Sequence, residues 1–324
     1  MNPLPSGACA QCGKVTTKRC VGCNNGPDYV AGDASDIFYC SKPCQAQHRT
    51  AHGSYCIRMI TRKEVVRAGR ILKSAFLTYK AVFYEHDILK IGLEKDVLTL
   101  HLPPLRLDGR RLKGSWGPFP GKIPCNITER EAALCFKQCN AAVALLGPLS
   151  RKLLSGTGWD ITLMNGQLKN PVFRPRLSGG NPDPPVVWHA AIRARHSESQ
   201  EEFIIDPTGA QYGISRPCMP FSQYQANYRG VWLPDRPYDQ HERTDLNLIL
   251  DKPSCTEIAH LQHKDPSPMF DLRVEMCARA HFADFISNRK GLNRTMLDNT
   301  DAGFEKEMNA FISDLRNHLN GFDW

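Results

Sequence analysis

The sequence predicts an α+β protein: a small cysteine-rich module, a long linking helix, and a larger mixed α/β domain with a β-hairpin and C-terminal helices. Three observations carry this. Seven of the thirteen cysteines fall within residues 9–56. Val65, Ala68, Leu72, Ala75, Tyr79 and Phe83 then recur at spacings of three and four, the repeat of one helical face. Beyond them, alternating stretches such as VVWHAAIRA (186–194) sit between helical patterns. The expected division is 1–58 for the module, 59–92 for the linking helix and 93–324 for an α+β domain large enough to bury its own core.

The module reads as metal-binding. Its spacing is Cys9-x2-Cys12, Cys20-x2-Cys23, Cys40-x3-Cys44 and His52-x3-Cys56, four two-ligand units and so enough for two closed tetrahedral zinc sites. His48 lies between Cys44 and His52 at four-residue steps, and helix geometry sorts the two histidines. Residues four apart in a helix are about 6 Å apart along the axis and eight apart about 12 Å, while zinc bonds are only about 2.0–2.3 Å long. Cys56 can therefore share an ion with His52 but not with His48, which is left to face outward beside Gln45 and Arg49. If the helix is continuous, Cys44 and His52 also serve different ions. Spacing alone leaves open which C-x2-C unit joins which helical pair.

The helical pattern from Val65 to Phe83 contains Gly69, which costs roughly 1 kcal/mol against alanine. DVLTLHL (96–102) alternates like a strand, and RRLKGSWGPFPGKIP (110–124) is a loop by its glycines and prolines. Thr128 and Glu131 suggest a capping box opening a helix of about eighteen residues that stops at Gly147-Pro148, with a second helix over 149–155. WDITLMN (159–165), VVWHAAIRA and EFIID (202–206) read as strands, LSGGNPDPP (177–185) as a turn-rich break, and 274–290 and 303–319 as helices.

The net charge of +8 could signal nucleic acid, so its placement matters. Residues 1–56 hold five Lys/Arg and three Asp, and seven thiolates with two Zn²⁺ leave the module at −1. The excess lies beyond it, in Arg58, Arg62, Lys63, Arg67, Arg70 and Lys73 and in Arg106, Arg110, Arg111 and Lys113, where spaced cations on a helix suggest a solvated face. Nucleic acid is thus not the expected partner. No apolar leader and no run of 18 apolar residues is seen, and the clustered thiols favour metal in a reducing compartment, so an intracellular protein of nucleus or cytoplasm without a membrane segment is expected.

The order C-x2-C, C-x2-C, YCSKPCQ and H-x3-C resembles the MYND-type zinc finger over residues 9–56. The resemblance implies an interleaved cross-brace: one zinc on Cys9, Cys12, Cys40 and Cys44, the other on Cys20, Cys23, His52 and Cys56. It also implies a protein partner, because fingers of this type often bind proline-rich peptides at the positions of Ser41, Gln45 and an aromatic that is Arg49 here. NNGPDYVAGDASDIFY (24–39) is longer than the usual loop. With four protein ligands each, the zincs are expected to be structural. The function expected from the sequence is a protein-interaction or regulatory adaptor.

No catalytic residue is assigned from the sequence. A SET-domain methyltransferase is argued against, since no asparagine-histidine-serine-cysteine stretch occurs and RNHLN (316–320) is a poor substitute for the C-terminal motif. The alternative is a cysteine-dependent hydrolase or acyl transferase. A hairpin turning near residue 198 places His189 opposite Thr208 with Asp206 diagonal on the same face. With Cys139 upstream, this order loosely resembles papain-like and transglutaminase-like enzymes, in which Cys139 would be nucleophile, His189 base and Asp206 its orienter. Against it, the expected capping box puts Cys139 mid-helix, away from any N-terminal dipole. Cys125 and Cys135 are expected to be buried thiols.

Overall fold

The computed structural model describes residues 6–104, 116–228, 230–238 and 267–322. The basic cluster Arg106, Arg110, Arg111 and Lys113 lies outside the described residues. In chain order the elements are β1 (Gly7–Ala8), β2 (Val15–Thr16), α1 (Lys42–Gln47), α2 (Arg49–Val82), β3 (Lys90–Glu94), β4 (Val97–His101), α3 (Ile127–Leu134), α4 (Cys139–Leu154), β5 (Trp159–Lys169), β6 (Arg174–Leu177), β7 (Val186–His196), β8 (Glu202–Ile205), β9 (Cys218–Pro220), α5 (Phe221–Tyr228), β10 (Val231–Trp232), β11 (Arg236–Pro237), α6 (Ser267–Asn288), α7 (Arg294–Leu297) and α8 (Asp301–Asn320). A 3₁₀ turn covers Gly209–Tyr212. Among the described residues no single helix is long and apolar enough to cross a membrane.

The main sheet is antiparallel in the order β10–β5–β7–β8–β9, with β11 also on β5. Period-2 alternation divides its side chains between two layers. Leu163, Ala190, Ile192, Ala194, Phe203 and Ile205 join the core formed with α2, α4, α6 and α8. Met164, Leu168, Val187, Ala191 and Ile204 form a second cluster with Tyr212 and Tyr224. A smaller sheet, β3–β4–β6, pairs β4 with β6 in parallel and packs with α3.

Helix α2 is the axis of the fold and not a linker. It begins at Arg49 inside the cysteine-rich module and ends at Val82, so residues 83–92 of the expected linking helix are not helical. Val65, Ile71, Leu72 and Phe76 are fully buried, each contributing roughly 1.5–3 kcal/mol. Gly69 permits β9 to approach: a Cβ there would stand 2.7 Å from Cys218 Cβ and 3.2 Å from Pro217 O.

The cations expected on a solvated face are mostly paired, which explains how a helix with so many charges can be central. Arg62 is 2% exposed and forks between Asp33 (2.7 Å) and Glu201 (2.6 Å). Arg67 bonds Asp301 at 2.5 Å and the Leu297 and Asn299 carbonyls. Arg70 pairs with Glu305 at 2.6 Å and Lys73 with Glu131 at 2.7 Å, while Lys80 pairs with Glu85. Every one of these carboxylates except Glu85 comes from a distant part of the chain. A buried charge is tolerated only when paired, so these contacts fix how the surrounding elements dock.

The helix expected from Thr128 to Gly147 is two helices that meet differently. Asn126, not Thr128, is the N-cap, and it forms the capping box with Glu129. Helix α3 ends at Leu134, Lys137 takes a left-handed φ of 54°, and Gln138 caps α4. Helix α4 then runs through Gly147-Pro148 to Leu154 without the expected stop. Leu145, Leu146, Leu149 and Leu153 are buried on either side of Pro148, and that packing outweighs the lost backbone bond.

Candidate functional site

The break between α3 and α4 has a chemical consequence: Cys139 is the first residue of α4, where the sequence reading placed it mid-helix. The turn before it lies against the turn after β8. Lys137 N–H donates to Gln211 Oε1 at 2.9 Å, and Cys135 Sγ lies 3.8 Å from Pro207 O. This brings a helix N-terminus, with its partial positive charge and its N–H groups that lack intrahelical acceptors, to the end of the β7–β8 hairpin.

The hairpin pairs Ile192 with Ile205, the register that sets His189 opposite Thr208. His189 and Asp206 are buried, and His189 Nε2 is 2.8 Å from Asp206 Oδ2. Asp206 Oδ1 accepts from Thr208 N–H at 3.2 Å, and Tyr224 Oη donates to Oδ2 at 3.0 Å. A Cβ on Gly209 would stand 2.7 Å from Asp206 Oδ2, so glycine there keeps the carboxylate room.

With Nε2 committed to Asp206, the nitrogen left for a further partner is Nδ1, which no group among the described residues hydrogen-bonds. The Cys139 thiol is half-buried and close enough to act on the charge of the His189 ring, so Cys139, His189 and Asp206 stand together in the fold. Burial alone would lower the His189 pKa. The Asp206 carboxylate, with a smaller contribution from Cys139, outweighs burial and raises it to about 10. The ring edge is covered by Tyr212, whose centroid is 5.3 Å from that of His189.

The cysteine-rich module brings its ligands into two groups. One is Cys9, Cys12, Cys40 and Cys44, the other Cys20, Cys23, His52 and Cys56, and within each group the ligand atoms lie within 4.8 Å of one another. Zn–S bonds of about 2.3 Å imply ligand–ligand edges of about 3.8 Å in a tetrahedron, and mixed S–N edges of about 3.5 Å. The observed edges match. Cys12–Cys40 and Cys40–Cys44 are 3.5 Å, Cys12–Cys44 3.9 Å and Cys20–Cys56 3.7 Å, with His52 Nε2 at 3.4 Å from Cys20 Sγ and 3.6 Å from Cys23 Sγ. The two sites are therefore interleaved along the chain, and each residue set fits a zinc ion with all four positions filled by protein.

Residues 9–56 match the family model described as MYND finger. This segment is a MYND finger. No match was found to a curated protein or to a solved structure.

Two features of the MYND finger differ from the sequence reading. His48 is not free: it interrupts the helix between α1 and α2, and its Nδ1 is 2.9 Å from Tyr39 Oη. Gln45 Nε2 lies 3.6 Å from Cys20 Sγ, where it can share the charge of a zinc-bound thiolate. The long loop, for its part, is the finger's contact with the large domain. Tyr29 packs on Phe203 at 5.5 Å and accepts the Glu202 N–H at 3.2 Å, while Asp33 meets Arg62.

A residue that the sequence did not point to is Tyr224, which approaches Asp206 only because β9 and α5 fold back over β8.

Proposed function

We propose that the large domain is a cysteine-dependent acyl-transfer enzyme, hydrolytic or transferring, with Cys139 as nucleophile, His189 as its base and Asp206 as the orienter of the imidazole. One observation carries the reading: a buried His189–Asp206 pair at 2.8 Å, whose Nδ1 no described residue bonds, stands beside a cysteine that begins a helix. The chemistry follows from the parts. His189 Nδ1 takes the thiol proton, and the Cys139 thiolate attacks an acyl carbonyl carbon. The imidazolium returns the proton to the leaving group as the carbon–heteroatom bond breaks, leaving a thioester. Water or a second acceptor, deprotonated by the same imidazole, then releases the acyl group and the thiol. The N–H groups at the start of α4 can supply donors for the oxyanion.

The zinc sites take no part in these steps, since each has four protein ligands. Their contribution is folding free energy, on the order of 10 kcal/mol per site in small fingers. The chain works in a reducing intracellular compartment, which keeps both the zinc thiolates and Cys139 reduced.

The MYND finger supports a second activity, recruitment of a protein partner in a regulatory or adaptor role. Gln45 and Arg49 are exposed beside α1, with arginine where an aromatic is usual, which favours an acidic segment over a proline-rich one. The two readings separate experimentally. Chemical labelling of Cys139 tests the enzyme: labelling faster than that of the exposed Cys277, abolished by His189→Ala, is expected, and equal rates overturn it. Binding to an acidic peptide that survives Cys139→Ala and is lost in Arg49→Glu supports the adaptor; binding that survives Arg49→Glu overturns that assignment.

A further inference from the structure

Asp206 Oδ2 serves two donors. His189 Nε2 stands at 2.8 Å and Tyr224 Oη at 3.0 Å on the same oxygen, while Oδ1 takes the Thr208 N–H at 3.2 Å. Tyr224 is fully buried on α5, and its ring is held by Tyr228 at 5.1 Å and Trp232 at 5.7 Å. A phenol so placed cannot reach a substrate at Cys139. Its burial keeps it protonated, so it is a permanent donor to the carboxylate.

We propose that Tyr224 is a positioning residue for the Cys139–His189 pair: its hydroxyl pins the Asp206 carboxylate and takes up part of its charge, and thereby sets how strongly that carboxylate holds the imidazolium. This rests on reading Cys139, His189 and Asp206 as the reacting groups. With both lone-pair directions of Oδ2 engaged and Oδ1 tied to the backbone, the carboxylate cannot rotate, so Nε2 keeps the proton and Nδ1 stays turned to the thiol. The second donor also tempers the pair. Charge that Oδ2 gives to the phenol is not available to the imidazole, so removing the hydroxyl strengthens the hold on imidazolium and favours the thiolate–imidazolium state.

The titratable groups around the pair act alongside. Cys139 begins α4, Cys135 follows α3, Tyr212 lies in the turn after β8 with Asp183 beyond it, and Tyr224 and Tyr228 come from α5. Tyr228 feels the Asp206 charge without a hydrogen bond to it, which makes it the control.

The test is the pH dependence of iodoacetamide labelling of Cys139 in the full zinc-loaded chain, read by mass spectrometry. Tyr224→Phe keeps the ring and its packing, and its acid limb is expected to move down by roughly one pH unit, while Tyr228→Phe leaves it in place. Fluorotyrosine placed at position 224 alone makes this phenol a stronger donor, and should move the limb up. A Tyr224→Phe profile that superimposes on wild type, moves up, or is matched by Tyr228→Phe overturns the proposal, as does fluorotyrosine that leaves the limb unmoved. A wild-type Cys139 no faster than Cys277 instead overturns the reading of the constellation itself. A fast Cys139 with an unmoved limb removes only the role of Tyr224.

Discussion

Arg62 joins two parts of the chain by bonding Asp33 of the finger at 2.7 Å and Glu201, at the head of β8, at 2.6 Å. Arg62 and Glu201 are buried, so truncating the arginine leaves a carboxylate in the interior without its cation. Arg62→Ala should lower stability by about 3–5 kcal/mol in urea unfolding, whereas Asp33→Asn, at the more exposed end of the fork, should cost about 1 kcal/mol. Equal losses would show that the arginine is held by its stem and not by its charge.

The His189–Asp206 pair makes stability depend on pH. The folded pKa of His189 is raised from 6.5 to about 10, so the native state binds this proton more tightly than the unfolded chain does. The contribution is complete below the unfolded value of 6.5 and is lost as pH rises through 10. Urea midpoints of the wild type should therefore fall more steeply across that window than those of His189→Gln. Parallel curves would contradict the assigned charge state.

Gly69 is a place where a helix-favouring change should fail. Alanine gains roughly 1 kcal/mol of helix propensity, but its Cβ would sit 2.7 Å from Cys218 Cβ, with the Pro217 carbonyl at 3.2 Å, and neither neighbour is the end of a flexible side chain. Overpacking of about 1–3 kcal/mol should leave Gly69→Ala less stable by thermal unfolding. A raised Tm would mean that α2 and β9 are not in contact there.

The two histidines of the finger give opposite expectations for metal content. His52→Ala should lose one of two zincs, since it removes a ligand of the Cys20, Cys23, His52 and Cys56 group. His48→Ala should keep both and lose its bond to Tyr39, at a cost of about 1 kcal/mol. Metal analysis decides, and a single zinc in His48→Ala would refute the ligand set.

The parts of this fold that were legible in the sequence are those fixed by local periodicity. The register of β7 on β8 follows from the alternation and the polar turn between them, so His189 and Asp206 could be placed on one face. The zinc ligands were legible for a similar reason, because tetrahedral sites demand short fixed spacings. The break before Cys139 was not, since Phe136-Lys137-Gln138 contains neither glycine nor proline. Its left-handed Lys137 is held by Gln211 from a remote turn. Pairing of the α2 cations was hidden for the same reason: the partners of Arg62, Arg67 and Arg70 arrive from Glu201, Asp301 and Glu305. Tyr224 needed the path of α5 over β8, which no local pattern encodes.

The most direct test of the central claim is the rate of iodoacetamide labelling at Cys139 relative to Cys277 in the zinc-loaded chain, in wild type and His189→Ala. Cys277 is an exposed thiol on α6 and serves as the reference. Cys139, despite being half-buried, should label at least tenfold faster than Cys277 near neutral pH, and His189→Ala should abolish that advantage. Equal rates in the wild type, or an advantage that survives His189→Ala, would contradict the account.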